Sequence, residues 1–407
     1  MSLFKRRHFL QFAGSTMTML GLGQISVESQ GFGAKVLAQS TPRKLALLVG
    51  INNYSNGMNR LRGCVNDVLM QKELLTHRFG FSPQDVLILT DEQATRKGIL
   101  QAFEEHLINQ AKPRDIVVFH FSGYSSQVLD EDEDNSDSIV SSLLPVDSKV
   151  PSDKSPDTMQ DITGHTLWLL MAALNTENVT LVLDTNYSGC LFNRAFKSNQ
   201  LQHKFYTSPE EKVYQQRWLK HLNLSQNEFL QRRRQGIPRG VVLAGTKRDQ
   251  YGIETSFSDF QAGAFTYELT QHLWQNGNQP FSQAFTRIAQ NVKALGVKQA
   301  SFQEPVLFVK PDSDNNNLPV YFIKLQAPGA VGIITSVQGN NIIIWLGGAS
   351  AERLETYKDG AVLEIIDNEA KKLGKLQIER RQGMMGGAKL IQIERSTSLK
   401  PGLLLRG

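Results

Sequence analysis

The sequence predicts an α/β fold: a mainly parallel sheet of about six strands flanked by helices, followed by a small all-β domain. Up to residue 310, short apolar strands alternate with amphipathic helical stretches, which is the pattern of a parallel sheet covered on both faces. Beyond the polar run 312–317, short strands separated by Gly and Asn turns replace that pattern. With 407 residues, 40% of them hydrophobic, the chain is long enough for two folded units.

The predicted elements follow one another as strand then helix. The strands of the first unit are Lys44–Gly50, Asp85–Leu89, Asp115–Phe121, Val179–Leu183, Gly240–Ala244 and Val306–Val309. Functional residues are expected at the carboxyl ends of these strands, where the loops of a parallel sheet form a crevice. The strands of the second unit are Val331–Val337, Asn341–Leu346, Ala361–Ile366, Lys375–Ile378 and Leu390–Ile393, which predict a small barrel or sandwich over residues 318–407.

The amino terminus has the order of a secretory signal. Lys5, Arg6 and Arg7 precede the uncharged stretch 13–23, and Val36-Leu37-Ala38 would serve as a cleavage site. Adjacent arginines followed by Phe-Leu resemble a twin-arginine leader, predicted over residues 1–40. We expect export to the periplasm or an equivalent lumen if this leader is used, and a cytoplasmic protein otherwise. The apolar run is too short to span a bilayer as a helix of the mature chain.

Charge and cysteine content exclude several classes of site. The net charge of +5 is concentrated between Arg194 and Arg239, where ten Lys and Arg face three Glu. This is a local basic insertion, and no nucleic-acid partner is predicted from it. Cys64 and Cys190 have no paired spacing near histidines, so neither a zinc site nor a disulfide framework is predicted. A single bridge between them stays open, and no cofactor is predicted.

Four segments resemble, in order, the caspase-like metacaspases of the bacterial orthocaspase type. They are residues 45–52 with 61–68, residues 119–127, residues 183–189, and the group 242–250, 263–267 and 303–305. The resemblance covers residues 43–310 and implies a caspase-like three-layer sandwich. It divides into a large-subunit-like part (43–191), the basic insertion (192–238) and a small-subunit-like part (239–310).

The resemblance also implies where the catalytic dyad of the family falls. The His position is held by Tyr124, after Ser122-Gly123, and the Cys position by Asn186, in Asp184-Thr185-Asn186-Tyr187-Ser188-Gly189. An amide is not a nucleophile, and a phenol with an ordinary pKa of about 10 is a poor proton shuttle at neutral pH. The sequence therefore predicts a pseudoprotease in which Tyr124 and Asn186 face each other within hydrogen-bonding reach.

Substitute catalytic groups are less suited to the chemistry. Cys190 is either a displaced nucleophile or a small buried apolar residue, and we favour the second interpretation because it lies four residues beyond Asn186. His120 lies within an apolar strand and is expected in the core. Ser188 has no identifiable base.

The positions that bind substrate in this family match better than the catalytic positions do. Metacaspases cleave after Arg or Lys, and the resemblance implies that Asp67 and Asp184 are the acids of their primary pocket. Two carboxylates would bind a guanidinium or ammonium group by charge-assisted hydrogen bonds. Alternatively, Asp67 caps its helix and Asp184 accepts from loop amides; the two interpretations are compatible. The triplet Arg232–Arg234 could occupy the pocket as an internal pseudosubstrate.

An acidic run follows the Tyr124 loop, in a region where many family members carry acidic segments and where calcium activates some of them. Asp130, Asp132, Asp134 and Asp137 are candidate calcium ligands, since oxygen donors suit this ion. Their spacing matches no defined calcium loop, and we favour a solvated charged segment.

Three functions remain in competition. The first is a non-catalytic protein that binds basic peptide or protein segments, or regulates an active caspase-like relative. The second is an active cysteine endopeptidase that cleaves after Arg or Lys. The third is an envelope-associated scaffold that acts through its carboxyl-terminal β-domain. The missing nucleophile and base favour the first.

Overall fold

The computed structural model describes residues 42–54, 58–130, 138–149, 158–192, 196–197, 205–257, 259–394 and 398–407. Residues 42–407 form one compact unit. The predicted leader over residues 1–40, the calcium candidates Asp132, Asp134 and Asp137, and the side chain of Cys190 lie outside the described residues. In the described part of the chain, no helix is long and apolar enough to cross a membrane.

A six-stranded sheet forms the centre of the first unit. Its strands are β1 (Lys44–Gly50), β2 (Val86–Thr90), β3 (Ile116–Ser122), β4 (Asn178–Asp184), β5 (Val241–Ala244) and β6 (Val306–Val309). Their order across the sheet is β6-β5-β4-β3-β1-β2. All neighbours are parallel except β6, which runs antiparallel to β5. The predicted mainly parallel sheet is therefore confirmed.

Helices cover both faces of this sheet. They are α1 (Cys64–His77), α2 (Arg96–Ala102, continued by the π-helix Phe103–Ile108), α3 (Gly164–Ala173), α4 (Pro209–His221), α5 (Gln226–Gln235), α6 (Ala264–Asn276) and α7 (Phe281–Lys298). Alternate residues of β1 enter different cores: Ala46 and Leu48 pack with α1, α6 and α7, whereas Leu45 and Leu47 pack with α2 to α5. This alternation gives the three-layer sandwich that the sequence predicts.

The basic insertion contains two packed helices that sequence patterns did not reveal. Phe229 and Leu230 of α5, like Trp218 and Leu219 of α4, belong to the core beneath α3. The buried carboxylate of Glu211 in α4 accepts hydrogen bonds from the backbone amide and hydroxyl of Thr163, and it pairs with Arg96 at the start of α2. The insertion is thus part of the second helical layer.

Two small antiparallel elements border the sheet. Ser125–Leu129 pairs with Ser138–Leu143, which also pairs with the short strand Ile162–Thr163. Glu254–Phe257 pairs with Phe260–Gly263 as a hairpin that leads into α6. Three further two-residue strands are Thr158–Met159, Phe196–Lys197 and Tyr206–Thr207.

The carboxyl-terminal region is a closed antiparallel barrel with one short helix. Its elements are β7 (Gly332–Gln338), β8 (Asn341–Trp345), α8 (Ala351–Thr356), β9 (Val362–Ile366), β10 (Lys372–Gln382), β11 (Met385–Ile393) and β12 (Leu404–Arg406). The strands follow the order β7-β8-β11-β10-β9-β12. The barrel packs on α6, because Trp274 shares its core and the Tyr267 hydroxyl donates to the carbonyl of Ala349 over 3.2 Å.

His120 lies in the core of β3, as the sequence predicts. It is 0% exposed, stands between Leu48 and Val182 on the neighbouring strands, and has no hydrogen-bond partner among the described residues. Burial lowers its pKa to about 3. The imidazole is therefore neutral in the folded protein at every pH at which the protein would be handled.

We expect His120 to make the protein sensitive to acid. In the unfolded chain this residue takes up a proton below its ordinary pKa of about 6.5, whereas in the folded chain it does not, so stability present above that pH is lost as the pH falls. Urea unfolding gives the free energy of unfolding at pH 7.5 and at pH 4.5. Between these two pH values it should fall by about 2–3 kcal/mol less in His120→Leu than in the wild type. An equal loss in both proteins would contradict this assignment.

Candidate functional site

The candidate site lies at the carboxyl ends of β3 and β4. Ser122 and Asp184, the last residues of these strands, are register partners. The first turn of α1 brings Asp67 to the same edge, and the hairpin before α6 brings Gly263. Residues from both subunit-like parts of the chain therefore meet at this edge of the sheet, where the sequence predicts the crevice.

Asp67 is completely buried and fully hydrogen-bonded. Its Oδ2 accepts from the Ser122 hydroxyl over 2.6 Å, and its Oδ1 accepts from the Gly263 amide over 2.9 Å. It does not cap its own helix, because Gly63 is the N-cap of α1 and no side chain caps it. The helix-cap interpretation of Asp67 is wrong.

Asp184 is 6% exposed and is bound to the first turn of α6. One carboxylate oxygen, Oδ2, accepts from both the amide of Thr266 over 2.9 Å and its hydroxyl over 2.8 Å. The expectation that this acid accepts from backbone amides is met. The other oxygen, Oδ1, makes no hydrogen bond among the described residues.

Gly263 is the point at which the two acids converge. A Cβ atom added there would overlap Oδ2 of Asp184 and lie 2.9 Å from Oδ2 of Asp67. Any residue with a side chain would displace one carboxylate, so the site requires glycine at this position. The carboxylates of Asp67 and Asp184 are therefore neighbours across one backbone position.

Burial makes both acids hard to ionise, and the charge of Asp184 adds to the effect on Asp67. Burial, followed by the negative charge of Asp184, raises the pKa of Asp67 well above its ordinary value. Burial also raises the pKa of Asp184 to about 6, against the opposing effect of the Thr266 hydrogen bonds. Asp184 therefore takes up a proton near pH 6, a range in which exposed aspartates are fully ionised.

No cation of the described chain neutralises the pair. None of the ion pairs among the described residues involves Asp67 or Asp184; their partners are Ser122, Gly263 and Thr266. The triplet Arg232–Arg234 forms the last turn of α5, and Arg233 is 3% exposed in the layer on the opposite face of the sheet from α1 and α6. The suggestion that the triplet occupies the pocket is therefore wrong, since α5 packs elsewhere.

Tyr124 is turned toward the loop that follows β1. Its hydroxyl donates to the carbonyl of Asn59 over 3.2 Å, its amide donates to the hydroxyl of Tyr54, and the two rings are 5.0 Å apart. Partial burial, with smaller effects of Cys64 and Glu254, raises its pKa above the ordinary value. The phenol therefore stays protonated at neutral pH and is no proton acceptor.

Asn186 fixes the loop that follows β5. Its side-chain oxygen accepts from the amide of Gly252 over 2.8 Å, and the next residue, Tyr187, donates its amide to Gln250. The Ser125 hydroxyl donates to the carbonyl of Asn186, which joins this loop to the Tyr124 loop. The two loops meet as predicted, but the expected hydrogen bond between the Tyr124 and Asn186 side chains is not formed, because each side chain takes another partner.

Other candidate nucleophiles and bases are inert where the structure describes them. Cys64 is a free, buried thiol, so it does not pair with Cys190; burial and the charge of Asp67 raise its pKa well above the ordinary value. A thiol that stays protonated is a poor nucleophile. Ser188 shares hydrogen bonds of 3.0 Å with Thr246, and His120 is confined to the core.

The calcium candidate that the structure describes, Asp130, lies beside a histidine. Asp130 lies 3.2 Å from Nε2 of His165, and both side chains are buried. Among the described residues, no group of three His, Cys, Asp or Glu side chains is arranged to hold a metal ion.

Sequence reasoning did not identify every contributor to the site. Ser122 and Thr266 lie within the segments that carry the family resemblance, yet their hydrogen bonds to Asp67 and Asp184 depend on tertiary contacts. Glu254 lies outside those segments, and its position is set by hairpin pairing with Gly263. Only its place between the motif-bearing segments 242–250 and 263–267 could have drawn attention to it.

Comparisons with known proteins agree on the first half of the chain. The model of the metacaspase, peptidase C14 domain matches residues 44–194. Metacaspase-1 of Yarrowia lipolytica is 40% identical over 131 residues, 31% of this chain and 28% of the relative. Metacaspase-1B of Aspergillus clavatus is 37% identical over 148 residues, 33% of this chain and 36% of the relative. The chain thus spans about a third of the length of these curated relatives.

A solved structure of a Geobacter sulfurreducens protein aligns over 70% of this chain and 100% of its own, with a TM-score of 0.46 and 17% identity. The family assignment rests on the domain match and on the curated relatives, which agree with the sheet and helices described above. Residues 44–194 match the metacaspase, peptidase C14 domain, and the comparisons support a caspase-like, metacaspase-type domain in this part of the chain.

Proposed function

We propose that this chain is a non-catalytic, caspase-fold protein that binds Arg- or Lys-containing segments of peptides or proteins in the pocket of Asp67 and Asp184. The observation that carries the proposal is a pair of adjacent, buried carboxylates with no cationic partner among the described residues. A buried carboxylate without a counter-charge is destabilising, and either a proton or a bound cation relieves it. A basic side chain would neutralise the pair through charge-assisted hydrogen bonds.

The dyad positions support binding rather than cleavage. Tyr124 and Asn186 supply neither a thiolate nor an imidazole, and their side chains are engaged with Asn59 and Gly252. Cysteine peptidase activity is the second candidate function, because the relatives are named metacaspases and the matched domain is a peptidase domain. The two candidates differ in one measurable property, peptide-bond hydrolysis.

The first prediction concerns Asp184→Asn. Removal of one charge should weaken binding of a fluorescein-labelled, glycine-rich peptide with one central Arg by about tenfold or more, because a charge-assisted hydrogen bond is lost. Fluorescence anisotropy with the full-length chain measures this, with the citrulline peptide as the uncharged ligand. Asp359→Asn, an exposed substitution in the barrel, is the matched control and should bind as the wild type does.

The same variant should be more stable than the wild type at pH 7.5. Because the folded pKa of Asp184 is raised to about 6, the repulsion that the substitution would relieve is present only above that pH. We expect a gain of about 1–3 kcal/mol in the free energy of unfolding at pH 7.5, and a much smaller gain at pH 4.5. Weaker binding without this gain would instead indicate that the substitution damages the fold.

A further prediction tests catalysis. The full-length wild type should leave fluorogenic Arg- and Lys-terminated peptides uncut, with and without calcium. The double variant Tyr124→His, Asn186→Cys should cleave them, whereas each single variant should not, because base and nucleophile act as a unit. Adding Asp184→Asn should abolish the gained activity. Cleavage by the wild type that Cys190→Ala removes would overturn the proposal and indicate a displaced nucleophile.

A further inference from the structure

A buried arginine lies at the edge of the sheet opposite the candidate site. Arg78 directly follows α1 and is 6% exposed. The carbonyl of its neighbour Phe79 accepts from Nζ of Lys44, the first residue of β1, over 2.6 Å. Asp67 lies in the first turn of the same helix, about 16 Å away along the axis at a rise of 1.5 Å per residue. Arg78 is therefore separate from the acidic pocket.

The positive charge of Arg78 is not matched by an acid in the part of the chain that the structure describes. Its guanidinium forms no ion pair or hydrogen bond there, and Nε is completely buried without an acceptor. Burial lowers its pKa to about 10, with no acid to offset the effect, so the group is still cationic at neutral pH. A buried cation without a counter-charge destabilises the fold, and a bound anion relieves this.

Two indole N–H groups beside Arg78 also have no acceptor among the described residues. The guanidinium lies over the ring of Trp274 in α6, with Cζ 5.7 Å from the ring centroid. Trp274 is 0% exposed and Trp345, the last residue of β8, is 8% exposed; neither Nε1 donates a hydrogen bond to a described residue. Buried indole N–H groups usually have a partner.

The two indole nitrogens meet at Gly347. A Cβ atom added there would lie 2.8 Å from Nε1 of Trp274 and would overlap Nε1 of Trp345. The glycine therefore leaves space beside both donors. The loop is held against α6, since Gln275 donates to the carbonyl of Gly348 over 2.5 Å. The donors are thus fixed in place by α6 and by the barrel together.

A purely structural role for Arg78 is the competing explanation. The carboxyl end of α1 carries partial negative charge, and the face of Trp274 attracts a cation. Both effects favour the positive charge at this position. Neither provides an acceptor for the buried Nε or for the two indole N–H groups in the described structure.

We propose that Arg78, Trp274 and Trp345 form a binding site for a small inorganic oxyanion, phosphate or sulfate, at the junction of α1, α6 and the barrel. The planar fork of a guanidinium matches the oxygens of such an ion, which accepts bonds of about 2.8 Å. A tetrahedral ion has four oxygens and can accept from donors in different directions, whereas a carboxylate has two. Because all three side chains are more than nine-tenths buried, the occupant is a free ion and not a phosphorylated peptide.

The test follows thermal unfolding of the full-length chain in increasing sodium phosphate or sodium sulfate, against sodium chloride of equal ionic strength. Arg78→Met keeps an aliphatic side chain on Trp274 and removes the charge. Arg232→Met, which changes an exposed arginine of the basic insertion, is the matched control for nonspecific anion effects. Trp345→Phe keeps an aromatic ring and removes one N–H donor. A phosphoserine peptide is the macromolecular form of the same ligand.

We expect phosphate and sulfate to raise the melting temperature of the wild type and of Arg232→Met by about 2 °C or more, in a saturable way that gives the affinity. Arg78→Met should melt above the wild type in chloride, because the unmatched charge is gone, and should bind phosphate at least about tenfold more weakly. Trp345→Phe should also bind more weakly. The phosphoserine peptide should have no effect.

No saturable effect of phosphate or sulfate on the wild type would overturn the inference, whether or not the variants fold. The same phosphate affinity in Arg78→Met as in the wild type would overturn it too, as would a loss of affinity in Arg232→Met that equals the loss in Arg78→Met. Stabilisation by the phosphoserine peptide as strong as that by phosphate would contradict a buried site for a free ion. None of these results depends on binding of basic peptides at Asp67 and Asp184.

Discussion

The arrangement of this site depends on the repulsion between two carboxylates held on either side of a residue without a side chain. Asp67 comes from the first turn of α1 and Asp184 from the end of β4, and Gly263 lets them approach. Their hydrogen bonds to Ser122, Gly263 and Thr266 fix their orientation but bring no positive charge. Burial is the largest cause of the raised pKa of both acids, and no cation among the described residues offsets it.

The surrounding strands and helices hold these two acids in place. The parallel strands end together and align Ser122 with Asp184. On the face covered by α1 and α6, the core continues into the barrel through Trp274, so the barrel supports the helix whose first turn binds Asp184. We infer that the barrel contributes to the site through α6, in addition to any binding surface of its own.

The sequence was most informative where local pattern and tertiary structure coincide. The six strands of the sheet are apolar on both faces, and their positions could be predicted within one or two residues. Helices α4 and α5 were missed because most of their residues are polar; only Trp218, Leu219, Phe229 and Leu230 mark the buried stripe. The closed barrel could not be distinguished from a sandwich, since closure depends on the pairing of β7 with β12.

The candidate site could be predicted only in part, because sequence patterns do not reveal tertiary contacts. Asp67 and Asp184 could be identified from the resemblance, and the structure brings them together. The side chains of Tyr124 and Asn186 make no hydrogen bond with each other among the described residues; Asn59 and Gly252 offer each of them a backbone partner that no sequence pattern reveals. Glu254 was missed because only hairpin pairing brings it beside Gly263.

The most direct test of this account is the number of protons released when the full-length chain binds an arginine peptide. A cation bound between the acids favours their ionised forms, so near pH 6, where Asp184 titrates, binding should release protons and affinity should rise between pH 5 and 7. Isothermal titration calorimetry at pH 6, in buffers of different ionisation enthalpy, measures this release. We expect proton release with the Arg peptide, and strongly reduced release in Asp184→Asn. Arginine binding without proton release, and with the same affinity at pH 5 and 7, would contradict it.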